Sequence, residues 1–503
     1  MSSDKPLLRL KRVGIDTYRE AVIYMRGDCD VCLSEGFEIP ARLQVRSGKQ
    51  TIIATLNMIT SEILQKGEAG LSDHAMALLG AREGDGISVR HAGAVTSLSH
   101  VRSKIYGKRL GRMQFDAIVR DITAGYYSDI HLSSFLTACA GGRLNTEEIT
   151  HLTAAMVSVG DRLTWHSPII VDKHCVGGLP GNRTTPIVVA IVSAFGLTMP
   201  KTSSRAITSP SGTADTMEVL TPVTIDVATM KAIVGRENGC FVWGGAASLS
   251  PADDILIRVE RALDLDSQSQ MVASVLSKKI AAGSTHVVID IPIGDTAKVR
   301  NQERAEQLRA ELEQVGRELG LVVKIVFSDG RQPVGRGIGP ALEARDIVAV
   351  LQNSESAPQD LRQRALTLAG LIIEFSPTVA EGEGLAIATH LLDSGRAWQK
   401  FQAICEAQGG MREIPVAPYT RSYPAEQYGR IVAIDNRRLA MLAKLAGAPG
   451  DKAAGIDLHT PLGTTVQKGD PLFTIHAESP GQLQYALGYL DDGNHIIRIG
   501  EYP

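Results

Sequence analysis

The sequence predicts an α/β protein, with helical segments on both sides of the α/β portion and small β-rich domains at both ends. Three observations lead to this. Residues 168–195 read as a buried strand, a glycine-rich turn and an apolar helix. Residues 101–162 and the segment from Ser250 onward have helical periodicity. Residues 1–95 and the chain after Tyr423 consist of short apolar runs separated by turn residues.

The chain has 503 residues, too many for a single core, so three or more domains are expected. Apolar residues make up 44% and charged residues 21%, as in an ordinary globular protein. A net charge of −3 provides no basic footprint, which argues against a nucleic-acid polymer or an anionic membrane as partner. The start MSSDKPLLRLKR has no apolar signal core, and no apolar run reaches membrane-spanning length. Six scattered cysteines fit a reducing compartment, so a cytoplasmic location is expected. Cys29 and Cys32 form one CxxC without a second pair or nearby histidines, and read as two ordinary thiols rather than a zinc site.

The boundaries follow the chain. Residues 1–95 form a β-rich N-terminal domain, in which Arg42 to Leu56 alternates around a Ser47-Gly48-Lys49 turn as a hairpin does. Residues 101–163 form the first helical part. Ser128 starts one helix and places Phe135, Leu136 and Cys139 inward. Asn145-Thr146-Glu147-Glu148 reads as a capping box, with Ile149, Leu152, Met156 and Val159 on one face of the next helix. Residues 164–250 are the first α/β part. Ser250-Pro251 starts the second helical part, residues 251–283. Residues 284–415 complete the α/β domain: strands at HVVIDIPI and Leu321–Phe327, a long charged helix between them, and helices at Pro358–Phe375 and Glu383–Gln408. The triple glycine Gly335, Gly337 and Gly339 lacks dinucleotide-binding spacing and reads as a structural turn. Residues 416–503 form a β-rich C-terminal domain. Its VQKGDPLF run resembles a biotinyl-type hairpin but has no carrier lysine, so it reads as scaffold.

The chemistry concentrates between Val171 and Val219. A strand, a turn through Gly177, Gly178, Pro180 and Gly181, and a helix start together present free N–H groups and a positive dipole end to an anion. Lys173 adds a point charge and His174 a polar or proton-handling group. The segment SSRAITSPSGTADTMEV adds more hydroxyls than a turn requires. The combination suits phosphate.

DKH-x-x-GG followed by S-x-R-A-I-T-S-x-x-G-T-A-D-x-x-E resembles the thymidine phosphorylase family, and the wording SSRAITS…GTAD resembles its longer, AMP phosphorylase-type branch. The resemblance runs from about Val101 to the C-terminus and implies a helical domain and an α/β domain facing each other across a cleft. It implies substrate contacts by Gly178, Thr184, Ser204, Arg205, Ala206, Ile207, Thr208, Ser209 and Thr213. Lys173 and His174 are the implied catalytic residues on the phosphate side, and Asp266 matches the longer branch's proton donor. Ser274 and Lys278, four apart and so on one helical face, match pyrimidine contacts. Lys298 matches an AMP contact. Cys175 departs from the family's usual serine, and a thiol is the poorer donor. The family's pyrimidine-binding arginine has two candidates here, Arg258 and Arg261.

The implied reaction is phosphorolysis of thymidine to thymine and 2-deoxy-α-D-ribose 1-phosphate. Inorganic phosphate is the co-substrate, and no metal or organic cofactor is involved. The alternative is phosphorolysis of AMP or another nucleoside 5′-monophosphate to ribose 1,5-bisphosphate. A homodimer or larger homo-oligomer is implied. Anthranilate phosphoribosyltransferases resemble this fold but need magnesium, and no acidic pair matches their metal site. A non-catalytic nucleotide-binding or assembly protein is disfavoured by the joint presence of Lys173, Arg205, Thr213 and Asp266.

Overall fold

The computed structural model describes residues 7–37, 41–206, 209–247, 249–263, 265, 267–491, 493 and 495–500. The chain divides into two compact units, residues 1–159 with 251–270, and residues 160–250 with 271–503.

The first unit opens with a closed barrel of six strands: β1 (Leu8–Arg12), β2 (Val22–Arg26), β3 (Arg42–Ser47), β4 (Gln50–Ile59), β5 (Glu68–Leu71) and β6 (Gly86–His91), in the order β1-β5-β2-β4-β3-β6. Ser47 pairs with Gln50, so the expected hairpin turn has two residues. Gly48 opens that turn at φ 54°, where a positive φ matches the strand twist. Alternate residues such as Leu43, Val45, Ala54 and Leu56 fill the barrel interior. Two short helices, α1 (Asp30–Glu35) and α2 (Asp73–Leu79), lie within this part of the chain. Cys29 caps α1, its sulfur accepting from the Cys32 N–H at 3.3 Å, and both are buried free thiols.

Four helices follow: α3 (Leu98–Ile105), α4 (Arg112–Thr123), α5 (Asp129–Cys139) and α6 (Thr146–Ser158). A later helix, Pro251–Leu263, rejoins this unit as α10 in chain order, and its Arg258 binds Asp129 of α5 through both guanidinium nitrogens. The expected capping box is present: Asn145 Oδ1 accepts from Glu148 N at 2.9 Å and Glu148 Oε2 from Asn145 N at 3.2 Å. Glu148 does more than cap. Its Oε1 accepts from the buried Lys104 ammonium at 2.6 Å and from Leu110 N at 2.9 Å, tying three segments together.

The second unit contains β7 (Val171–Cys175), α7 (Thr184–Phe195), β8 (Met199–Ser203), α8 (Thr213–Leu220), α9 (Val227–Glu237), β9 (Gly239–Trp243) and most of α11 (Gln268–Ala281). It continues with β10 (His286–Ile293), α12 (Gln302–Glu318), β11 (Val322–Asp329), β12 (Gly337–Ile338), α13 (Pro340–Leu351), α14 (Gln359–Ile373), α15 (Gly384–Asp393) and α16 (Arg396–Ala407). Strands β11, β10 and β7 form a parallel sheet, β8 and β9 pair in parallel, and an Ile170–Thr198 bridge links the two sets. Helix α7 is apolar all round and has Ile187 through Val192 fully buried, as a helix inside a core must be.

Two sequence expectations change. The strand begins at Val171, the last residue of the apolar run, so the charged motif lies on the strand itself. The helix expected over Glu383–Gln408 is two helices, broken at Gly395, which takes φ 76°. The triple-glycine loop is a structural turn. Its N–H groups are taken by the protein's own carboxylates, Gly335 N by Asp360 and Arg336 N and Gly337 N by Asp346.

The C-terminal part adds β13 (Tyr419–Pro424), β14 (Gly429–Ile434), α17 (Asn436–Leu445), β15 (Gly455–Leu458), β16 (Thr465–Val466), β17 (Pro471–Ala477), α18 (Pro480–Asp491) and β18 (Ile497–Gly500). The strands form two sheets, β12-β15-β17-β13 and β16-β14-β18, and the two helices pack on the same apolar core. Among the described residues no helix is long and apolar enough to cross a membrane.

Removing the Glu148 carboxylate tests the first unit. Glu148→Ala strands the buried Lys104 ammonium and is expected to cost about 3 kcal/mol, or roughly 6–12 °C in the melting of this unit. The exposed Glu147→Ala serves as control and should change little. Equal melting of the two variants would show that the pair is not a fastening point.

Candidate active site at the end of a parallel strand

The site is built from β7. Successive side chains of a strand point to opposite faces, so the polar run Asp172-Lys173-His174-Cys175 is divided between two environments. Asp172 faces one set of partners. Its carboxylate is fully buried and meets Lys201 Nζ of β8 and Lys279 Nζ of α11, each at 2.8 Å. Burial alone would raise the Asp172 pKa, but Lys201 and then Lys279 overcome it and the net shift is downward. Burial lowers the Lys279 pKa from the ordinary lysine value to about 7; Asp172 opposes this shift and Lys201 reinforces it.

His174 lies two residues along the strand. Burial pushes its pKa well below the usual histidine value, and the charges of Lys279, Lys201, Lys173 and Lys278 push the same way. The imidazole is therefore neutral at physiological pH, available as a hydrogen-bonding group rather than a resident cation. On α11, Ser274 and Lys278 share one half-buried face, while Lys279 lies on the buried side with Val272, Val275 and Leu276.

Lys173 has different partners. Its ammonium is buried and donates to Thr184 Oγ1 at 2.8 Å and to Thr185 Oγ1 at 3.5 Å, at the start of α7. Burial lowers its pKa; Cys175 and Asp290 pull it back up, while Arg183 and Arg364 add to the lowering. A cation compensated by hydroxyls retains attraction for a ligand anion. Cys175 accepts from Asn182 Nδ2 at 3.3 Å, and burial, aided by the Asp290 charge, raises its thiol to about 11. It is a thiol, not a thiolate, at neutral pH.

The turn after β7 is held by backbone contact. Gly177 and Gly178 take φ 96° and 79°, and a Cβ on Gly178 would lie 2.4 Å from Lys298 N. Lys298 thus abuts the glycine turn, although 120 residues separate them in sequence.

The hydroxyl-rich loop after β8 folds back on the start of α8. A Cβ on Gly212 would come within 2.6 Å of the backbone of residues 204–206. Asp215 Oδ2 accepts from Ala206 N at 2.6 Å and from Gly212 N at 3.0 Å. Arg205 binds both oxygens of Glu218 at 2.7 Å, reaches Asp215 at 3.3 Å, and lies over the Trp243 ring at 5.0 Å. Its donors face carboxylates, so it anchors the loop. Ser204 is exposed, Ser209 Oγ donates to Ser211 O at 2.9 Å, and Thr213 Oγ1 accepts from Arg183 at 3.1 Å. The neighbouring Ser203 hydroxyl is buried with no hydrogen-bond partner among the described residues.

Of the candidates, Lys173 and Thr184 come together, as do Gly178 and Lys298, and Ser204 to Ala206 with the start of α8. Ile207, Thr208 and Asp266 lie outside the described residues. Arg258 is engaged by Asp129 and Arg261 is exposed. Sequence reasoning did not assign the Asp172–Lys201–Lys279 cluster. The phase of α11 carried a signal, since 272, 275, 276 and 279 fall on one face. No group of three metal-ligating side chains occurs among the described residues.

Comparison with known proteins covers every part of the chain that this geometry uses. Residues 167–398 match the glycosyl transferase family α/β domain, residues 99–160 its helical bundle domain, and residues 430–496 the pyrimidine nucleoside phosphorylase C-terminal domain. A protein of Legionella pneumophila (strain Paris) named "Putative thymidine phosphorylase" is 62% identical over 98% of this chain and 96% of its own. One of the same name from Polaromonas sp. (strain JS666 / ATCC BAA-500) is 60% identical over 98% of this chain and 97% of its own. One from Hahella chejuensis (strain KCTC 2396) is 58% identical over 98% of each chain. Among solved structures, anthranilate phosphoribosyltransferase from Saccharomyces cerevisiae, in complex with PRPP and Mg, is alike in fold. The TM-score is 0.51 at 16% identity, over 63% of this chain and 98% of that one.

The lysine cluster gives a pH prediction. The folded Lys279 holds its proton less tightly than an unfolded lysine, so between about pH 7 and the ordinary lysine range the unfolded chain binds more protons. Stability contributed by this group therefore rises with pH above 7. The difference in melting temperature between wild type and Lys279→Met should grow in favour of wild type from pH 7 to 9. A pH-independent difference would mean that Lys279 titrates as an ordinary lysine.

Proposed function

The chain belongs to the thymidine phosphorylase family of glycosyl transferases, and from that membership we propose that it cleaves thymidine with inorganic phosphate, giving thymine and 2-deoxy-α-D-ribose 1-phosphate. The observation that carries this reading is the buried Lys173 ammonium held against Thr184 beside the Gly177–Gly178 turn. A preorganised cation, hydroxyls and a helix start at the carboxyl end of a parallel strand suit a bound phosphate, and this is where open α/β sheets take ligands.

In the proposed reaction a phosphate oxygen forms a bond to C1′ as the bond from C1′ to the base nitrogen breaks. The bonding electrons leave with the base, which then takes up a proton. The phosphate dianion stabilises the oxocarbenium-like sugar between these events. Lys173 and the hydroxyls at the helix starts hold and orient the phosphate. His174 serves as a neutral N–H donor to the base. Lys278, whose charge is felt at His174, offsets the negative charge developing on the leaving base. Asp266 is the proposed proton donor, from the family resemblance alone. No metal or organic cofactor takes part in the proposed chemistry.

The test is a panel of nucleosides and nucleotides assayed for base release with and without phosphate. Release from thymidine should require phosphate or arsenate and survive EDTA. Lys173→Ala should raise the phosphate KM and lower kcat/KM at least about tenfold, the loss of one charge-assisted contact. Release that needs magnesium, or that proceeds in Lys173→Ala with unchanged phosphate dependence, would overturn the reading.

A second reading has its own observation. The backbone N and the Cβ of Lys298 abut Gly178, which brings this lysine to the turn, and a second cation there suits the 5′-phosphate of AMP or a related monophosphate. Under the thymidine reading, Lys278→Ala abolishes pyrimidine turnover and Lys298→Ala does little. A preference for AMP by more than about tenfold in kcat/KM, lost in Lys298→Ala, would replace thymidine with the nucleotide.

A further inference from the structure

Arg183 lies immediately before Thr184, at the N-cap of α7, and its guanidinium reaches Thr213 at the start of α8. Its three nitrogens have three different partners. Nε binds Glu343 Oε2 at 2.7 Å, Nη1 donates to Thr213 Oγ1 at 3.1 Å, and Nη2 donates to Ser211 O at 2.9 Å. Glu343, on α13, is 1% exposed, and the same Oε2 also accepts from Thr216 Oγ1 at 2.7 Å. One buried carboxylate therefore fixes Arg183 and one turn of α8 together.

The contacts have a shape that a simple ion pair would not need. Lys173 is held by Thr184, the residue next to Arg183, and Thr213 is held by Arg183 itself. The two helix starts that present hydroxyls to the phosphate site are thereby coupled through one planar group. We infer that Arg183, locked by Glu343, is a positioning residue that sets Thr213 in register with the Lys173–Thr184 pair for phosphate binding. This rests on the proposed phosphate site. Arg183 acts through Thr213, and its three directional bonds require the guanidinium fork, which a lysine ammonium lacks.

The experiment compares Arg183→Lys, Thr213→Val and the double variant in the full chain. The readouts are phosphate KM, nucleoside KM, and the phosphate concentration giving half-maximal thermal stabilisation. Arg183→Lys should raise phosphate KM about tenfold and leave nucleoside KM within about twofold. In the Thr213→Val background the same change should add less than about twofold, because the group being positioned is gone. A folded Arg183→Lys with unchanged phosphate KM, or an equal effect in both backgrounds, overturns the inference. If Arg183→Lys does not fold, Glu343→Gln keeps the shape and a hydrogen-bond acceptor and should show the same split at about threefold; no split overturns it. Should the wild type release base from no nucleoside, the proposed reaction fails. The tenfold shift in stabilisation by inorganic phosphate then still decides this inference, and wild-type protein that phosphate does not stabilise overturns it.

Discussion

A carboxylate sealed inside a protein needs cations beside it, and Asp172 takes them from two distant segments, Lys201 on β8 and Lys279 on α11. With no cation beside it, its burial would cost several kcal/mol. That requirement fixes β7 against β8 and α11 and so decides which way the strand's other side chains point. His174, in step with Asp172, lies in a strongly positive environment and is neutral. Lys173, out of step, turns to the α7 hydroxyls. One strand of five residues thus presents a cation to one set of groups and an imidazole to another, through nothing more than its two-residue period.

Close backbone approaches position the turns beside the strand. Gly178 lies against the backbone at Lys298, and Gly212 against residues 204–206, at separations no Cβ could occupy. The guanidinium of Arg205 and the carboxylates of Asp215 and Glu343 hold the starts of α7 and α8 in place. Donors fixed before a ligand arrives stabilise developing charge without reorganising, the main source of electrostatic catalysis. Under the proposed function, the polar network beneath the site serves its chemistry as well as its stability.

Much of this was legible in the sequence because local signals and tertiary structure agree. The Asn145 capping box, the Gly48 hairpin and the strand His286–Ile293 appear where turn chemistry and periodicity placed them. The helix break at Gly395 was missed because an apolar period runs across it. Of the Asp172 cluster only the inward phase of Lys279 was legible. Its members lie far apart in sequence, and a buried lysine looks like a surface lysine until its neighbours are known. Arg205 is the opposite case. A motif arginine suggested a ligand contact, while its bonds run to Glu218 and Asp215 within the same loop and helix. A motif gives the residue type and not its partner.

In the proposed reaction, phosphate bound beside Lys173 becomes covalently attached to the anomeric carbon of the sugar. Phosphorus NMR of a reaction containing thymidine, inorganic phosphate and the wild-type protein follows that bond directly. One new phosphomonoester resonance is expected, coupled to the anomeric proton and growing in step with free thymine as inorganic phosphate declines. Thymine released while the inorganic phosphate signal stays constant would mean that water is the nucleophile and would overturn phosphorolysis.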